Sequence, residues 1–214
     1  MLLSLVVHPL ASHSVVLPSL SSAVFLMISE AAIGALFGLA VQLIHESIHF
    51  GAQLISVQAG YAYASTIDPN SEADSSVLPV LMTTAAALLF LSLGLDRIVV
   101  RTLVQSLHSV PPGMFQPKLE YAEPIIRLSA ALFAAGFRFA APVVALLLLV
   151  DVGMALLSRL QPQLQMLNLA FPLKMLATLA ALAILLRALS TAIQSMADKS
   201  FSFLHAVLSV GGGD

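Results

Sequence analysis

The chain contains no cysteine. It therefore has no disulfide framework, no thiolate nucleophile and no cysteine-based metal site. Charge is also scarce: 9% of its 214 residues are Asp, Glu, Lys or Arg, against about 25% in ordinary soluble domains. No Lys or Arg occurs before Arg97, and the formal net charge is -2. Such a chain has no basic footprint for nucleic acid, which is set aside as a partner. The opening stretch MLLSLVVHPLASHSVVLPS lacks the basic leader and unbroken apolar run of a secretory signal. His8, Pro9, His13 and Pro18 cut it into pieces too short to cross a bilayer, so it reads as the tail of a helix begun upstream or as a peripheral segment.

Apolar sequence is what the chain has in abundance, with 59% hydrophobic residues and a mean hydropathy of +0.98. A membrane crossing needs roughly 20 apolar residues in helical form. The windows 23–44, 77–95, 128–150 and 169–186 all qualify. The sequence predicts an all-α, membrane-associated protein built as two long helical hairpins with kinked arms.

Ser21 or Ser22 can cap the first helix, and no proline interrupts it until Pro69. A run of about 43 residues would be roughly 65 Å long, about twice the ~30 Å hydrocarbon thickness. Either it bends near its polar middle (Gln42, His45, Glu46, His49), or part of it stands outside lipid against protein. Gly34 and Gly38 form a GxxxG, a pattern that permits close helix approach in membranes; chance in an Ala/Gly-rich helix explains it equally well.

The segment IDPNSEADSSVLP (67–79) follows, carrying Asp68, Glu72 and Asp74 and bounded by Pro69 and Pro79. Its Asp-Pro step and its Asn70-Ser71 pair favour a loop over a helix. The second arm continues past Leu95 as the amphipathic stretch DRIVVRTLVQSLHSV and stops at Pro111 and Pro112. Arg97, Arg101, Lys118 and Arg127 cluster around the next connection, so the positive-inside bias puts that side in the cytoplasm and the acidic loop on the other face. Pro142 and Pro172 lie inside the third and fourth arms, where kinks are expected.

Two sets of residues suggest chemistry. His45-Glu46-Ser47-Ile48-His49 satisfies H-E-x-x-H, in which two histidines on one helix face bind zinc and the glutamate activates water. An intramembrane zinc metalloprotease using His45, Glu46 and His49 is thus the alternative function. It lacks an evident third ligand, and polar residues at a bend or subunit contact are the favoured reading. Glu30, Arg138 and Asp151 are ionisable groups within apolar runs, where burial without a partner is expensive. Ion pairing within or between subunits is favoured for them, with Arg138 and Asp151 as one candidate pair. A secondary transporter would show similarity between its halves, but only hydropathy is shared.

VQAGYAYASTIDP (57–69) and FAAPVVALLLLVDVGMALLSRLQPQLQMLNLAFPLKM (139–175) resemble the FliR family, export-gate subunits of the flagellar type III secretion system. The likeness runs from about Glu30 to Lys174. Gln58 and Gly60, the Asp68-Pro69 step, Arg159 with Pro162-Gln163, and Phe171-Pro172-Leu173-Lys174 all stand in the family's order. Gly94-Leu95-Asp96 departs from it, since members often carry Gly-His there.

The resemblance implies one export-gate unit over 1–214, with hairpins at about 22–109 and 120–210 and the family's first hydrophobic segment missing. It implies FliP-like and FliQ-like partners, a FlhB-like neighbour, passage of unfolded proteins, and a place in the bacterial inner membrane at the flagellar basal body. No catalysis, cofactor or metal is implied. A loop at 65–79 would help close the pore, with Gln58, Gly60, Ile67, Asp68, Pro69 and Pro79 at or beside it. Arg159, Pro162, Gln163, Phe171, Pro172 and Lys174 would be structural.

Overall fold

The computed structural model of the chain describes residues 20–61, 77–110, 115, 121–160 and 166–211. Among these residues the regular structure consists of five α-helices and no strand. They are α1 (Leu20–Ala59), α2 (Val77–Ser92), α3 (Leu95–Ser109), α4 (Ala122–Leu160) and α5 (Met166–Gly211).

α1 is the spine. Its buried residues Ile33, Phe37, Ala40, Ile44, Ile48, Ala52, Ile55 and Ala59 recur in steps of three and four, a single seam along one helix face. Against it pack α4, α2 and α5. Of the two alternatives for the polar middle, a bend at Gln42–His49 or a helix standing partly outside lipid, the helix is not broken at the first: α1 is one helix of 40 residues, about 60 Å long. The physical reason is that Gln42 and His45 face outward, while Ile44, Ser47 and Ile48 continue the buried seam without interruption. Ser47 satisfies its own hydroxyl by donating to the Leu43 carbonyl at 2.6 Å.

α1 ends earlier than the proline spacing suggests. Gly60 has φ of +87°, its N–H donates to the Val57 carbonyl at 3.2 Å, and the Tyr61 N–H donates to the Ser56 carbonyl at 3.1 Å. These are the paired bonds of a Schellman motif, in which a left-handed glycine satisfies the last carbonyls of a helix.

The second arm is broken at a second left-handed glycine. Gly94, with φ of +70°, separates α2 from α3, and their axes differ by 63°. Its carbonyl accepts from the N–H groups of Arg97 and Ile98, which starts α3 in the new direction. Pro79 lies in the first turn of α2, where the missing N–H costs no helical bond.

α4 and α1 approach closely because both use glycine at their crossing. A Cβ at Gly51 would lie 2.7 Å from the Gly136 carbonyl oxygen, and one at Gly136 would run into the Ser47 carbonyl. Phe50 and Phe133 flank this crossing edge to face, with centroids 5.6 Å apart. Gly34 and Gly38 have nothing within 4 Å of a built Cβ, so the GxxxG makes no close contact inside the chain.

Three helical stretches, Ala23–Ala59, Ala122–Leu160 and Ala170–Leu208, are long and apolar enough to cross a membrane. The bent α2–α3 pair makes a fourth if it counts as one broken span. Along α4 the apolar run 128–150 lies between two ion pairs, Arg127–Glu123 and Asp151–Lys174. At about 35 Å, its length is close to the ~30 Å hydrocarbon thickness.

Candidate functional site

The end of α1, the last third of α4 and the start of α5 meet at one carboxylate. Asp151 on α4 takes an ion pair from the Lys174 ammonium at 2.6 Å on one oxygen. Its other oxygen accepts a hydrogen bond from the Gln58 side-chain amide at 2.8 Å. A carboxylate only accepts and an ammonium only donates, so each oxygen has a donor and the charge is matched. The Lys174 side chain is 12% exposed and that of Asp151 40%. The lysine is thus the deeply placed member, and it depends on Asp151 more than Asp151 depends on it.

Sequence dictates this meeting. Lys174 and Asp151 stand at nearly equal distances from the Arg159–Gln165 reversal, so an antiparallel α4–α5 pair brings them opposite one another. Gln58 reaches them because α1 packs along α4 from the Gly51–Gly136 crossing onward. Thr178, one turn after Lys174 and fully buried, donates to the Lys174 carbonyl at 2.8 Å, which satisfies its hydroxyl inside the core.

Two residues further along, Gly60 lies against Phe171. A Cβ there would come 2.7 Å from the ring's Cδ1, so position 60 requires glycine for space as well as for its backbone angle. Gln58, Gly60, Phe171 and Lys174, written far apart in the sequence, are therefore one cluster with Asp151 at its centre. Segment 62–76 follows this cluster in the sequence. Chemically the site is a clamp: it carries one matched charge pair, one amide and one aromatic ring packed on Gly60, and among the described residues it offers no nucleophile with a neighbouring base.

The remaining expected residues fall elsewhere. Ile67, Asp68 and Pro69, and likewise Pro162 and Gln163, lie outside the described residues. Pro79 is buried at the start of α2, and Arg159 is exposed in the last turn of α4. Pro172 is exposed within α5. The candidate pair of Arg138 with Asp151 is replaced: Asp151 engages Lys174 and Gln58, while Arg138 is exposed more than three turns earlier on the same helix. Glu30 is half-buried on α1.

The H-E-x-x-H residues are split between environments. His45 is exposed and His49 half-buried, and Glu46 accepts from the Gln42 amide at 2.7 Å. Beside them is an apolar cleft of about 450 Å³ walled by Ala86, Phe90, Leu91 and Ile193. Among the described residues no group of three His, Asp or Glu is arranged to hold a metal ion. The third ligand a zinc site needs is therefore not supplied by the described part of the chain.

The family model for "Bacterial export proteins, family 1" matches residues 1–200. The chain is 25% identical over 187 residues to the flagellar biosynthetic protein FliR of Escherichia coli, covering 87% of this chain and 72% of that protein. It is 24% identical over 190 residues to FliR of Bacillus subtilis, covering 87% and 73%. With the surface presentation of antigens protein SpaR of Shigella flexneri it shares 27% identity over 152 residues, covering 71% and 59%.

Proposed function

This chain belongs to the bacterial export proteins, family 1, and is a membrane-embedded component of a type III export apparatus; we propose that it is a structural subunit of the export gate itself. With FliP-like and FliQ-like subunits, and beside a FlhB-like one, it forms the channel through which unfolded flagellar proteins leave the cell. Its place is the inner membrane, at the flagellar basal body. It works as one unit and by shape, not by catalysis.

The convergence of Gln58, Gly60, Asp151, Phe171 and Lys174 at the root of segment 62–76 carries this reading. A loop that closes a pore must be anchored, or thermal motion will move it off the axis. The matched charge pair joins the two helices of the second hairpin, the Gln58 amide ties the end of α1 to that pair, and the left-handed Gly60 ends the helix there. The expected loop 65–79 is shortened at its far end, because Val77, Leu78 and Pro79 belong to α2; the pore-closing role is proposed for the part before Val77. Arms about twice as long as a bilayer is thick fit the same reading, because neighbouring subunits cover what lipid does not.

Co-expression with FliP-like and FliQ-like subunits followed by purification through a tag on this chain tests it. The expected result is a stable complex containing all three. A chain that is folded in the membrane yet recovers neither partner sinks the proposal.

A further inference from the structure

Arg138 is a cation in an apolar setting without a counter-charge among the described residues. It is exposed on α4 and stands at the edge of a cleft between α4 and α5 of about 300 Å³, walled by Phe139, Pro142, Leu146, Ala181, Ile184 and Leu185. Position 138 is also short of a backbone bond. Pro142 has no N–H to give the Arg138 carbonyl, which is its ordinary helical partner four residues back. One spot therefore presents a guanidinium with five donors and a carbonyl deprived of its usual donor, both beside an open apolar groove.

Depth decides what can answer it. Arg138 lies about 17 Å along the helix from Arg127 and about 20 Å from Asp151, near the middle of the apolar run that those two charges bracket. A lipid phosphate sits at the bilayer surface, about 15 Å from the midplane. Snorkelling serves long cations near helix ends and does not bring one back from the centre. A charge at such depth faces protein or a water-filled cavity in the cases where it is tolerated.

We infer that the α4–α5 cleft at Arg138 is the docking site for a membrane helix of another export subunit, one that carries an Asp or Glu midway along its apolar stretch. The inference rests on the export-gate reading. The carboxylate takes the guanidinium in a fork-to-fork pair. The helix body fills the groove over Pro142 and Ile184, and a second polar group beside the carboxylate can donate to the Arg138 carbonyl. The planar fork of the guanidinium matches a planar carboxylate, so a lysine at 138 replaces it poorly.

The test uses the assembled complex in membranes. A photoreactive benzoylphenylalanine at Ile184 is activated by light, and the adduct is mapped by peptide mass spectrometry. The expected adduct joins a peptide of another export subunit within one or two helical turns of a carboxylate. Arg138→Glu should abolish that adduct, and exchanging the mapped carboxylate for arginine in the Arg138→Glu background should restore it. Arg138→Leu, which keeps the helix apolar and folded, should also lose it. If the subunits co-purify but the probe captures lipid alone, or a segment without a carboxylate, or an adduct indifferent to Arg138→Glu and Arg138→Leu, this inference is overturned while the gate assignment stands. If no export subunit joins the chain at all, both fall.

Discussion

Phe171 occupies the space that any side chain at position 60 would need: a Cβ on Gly60 would lie 2.7 Å from its Cδ1. Because Gly60 also has a left-handed backbone, one residue at the end of α1 is constrained twice, once by its own torsion and once by a helix entering from the other hairpin. The exit of α1 and the entry of α5 are thereby one structural decision.

Gly60→Ala should destabilise the protein by about 2–3 kcal/mol, with about 1–2 kcal/mol from the left-handed torsion and the rest from the ring. Gly94→Ala isolates the first part, since Gly94 is left-handed with open space around a built Cβ. It should cost about 1–2 kcal/mol. Thermal unfolding in detergent measures both, and equal losses at the two positions would mean that the Phe171 contact carries no weight.

Removing one member of the Asp151 clamp should hurt more than removing both charges. Lys174→Met leaves a carboxylate with the Gln58 amide as its one remaining partner, and Asp151→Leu strands a lysine that is 12% exposed. Each should cost about 2–3 kcal/mol, below the ~3–5 kcal/mol of a fully buried broken pair because Asp151 retains solvent. The double variant Asp151→Leu, Lys174→Met should recover at least half of the larger single loss. A double loss equal to the sum of the singles would show that the two groups are uncoupled.

The glycines of α1 and the one facing them from α4 should divide into two classes. Gly136→Ala and Gly51→Ala force carbonyls apart at the α1–α4 crossing and should lower stability by more than about 1–3 kcal/mol, the usual cost of overpacking. Gly34→Ala and Gly38→Ala meet nothing and should stabilise the isolated chain by up to about 1 kcal/mol each through helix propensity. Denaturant titration of the detergent-solubilised chain separates the classes, and a shared sign would refute the division.

Deleting 67–76 should leave recovery of FliP-like and FliQ-like subunits unchanged while raising ion leak through the membrane. Conductance of reconstituted complexes reads this directly. Normal assembly with unchanged conductance would remove the sealing role from the loop.

His45→Ala, Glu46→Gln and His49→Ala should each leave flagellar export near the parental level. Swimming assays check this, and zinc content of the purified chain should be far below one per molecule. Stoichiometric zinc lost on His49→Ala would revive the protease alternative.

The all-α class and the crossing windows are legible in the sequence because a bilayer demands long apolar helices, and 128–150 or 169–186 can satisfy nothing else. The course of α1 is less so. Gln42, His45, Glu46 and His49 suggest a bend when read as a polar block, but on a helix their positions leave the seam of Ile44, Ile48 and Ile55 unbroken. The stop at Gly60 is hidden for a related reason: nothing local separates a left-handed capping glycine from one of the packing glycines upstream. Asp151 is readable as a charge in need of a partner, but the expected partner, Arg138, is the wrong one: Lys174 comes opposite it only once α4 and α5 run antiparallel, and the bond to Gln58 spans 93 positions and depends on the α1–α4 crossing.

The uninterrupted span of α1 has a bearing on the life of the protein in the cell. A newly made copy cannot hide both ends of that rod in oil, and Val24, Phe25, Met27 and Ile28 at its beginning are left exposed by the rest of the described chain. Orphans should therefore be short-lived, recognised by quality-control proteases through these sticky ends. Synthesis of this polypeptide would then have to keep step with that of its companions, making their supply the limit on how much of it accumulates.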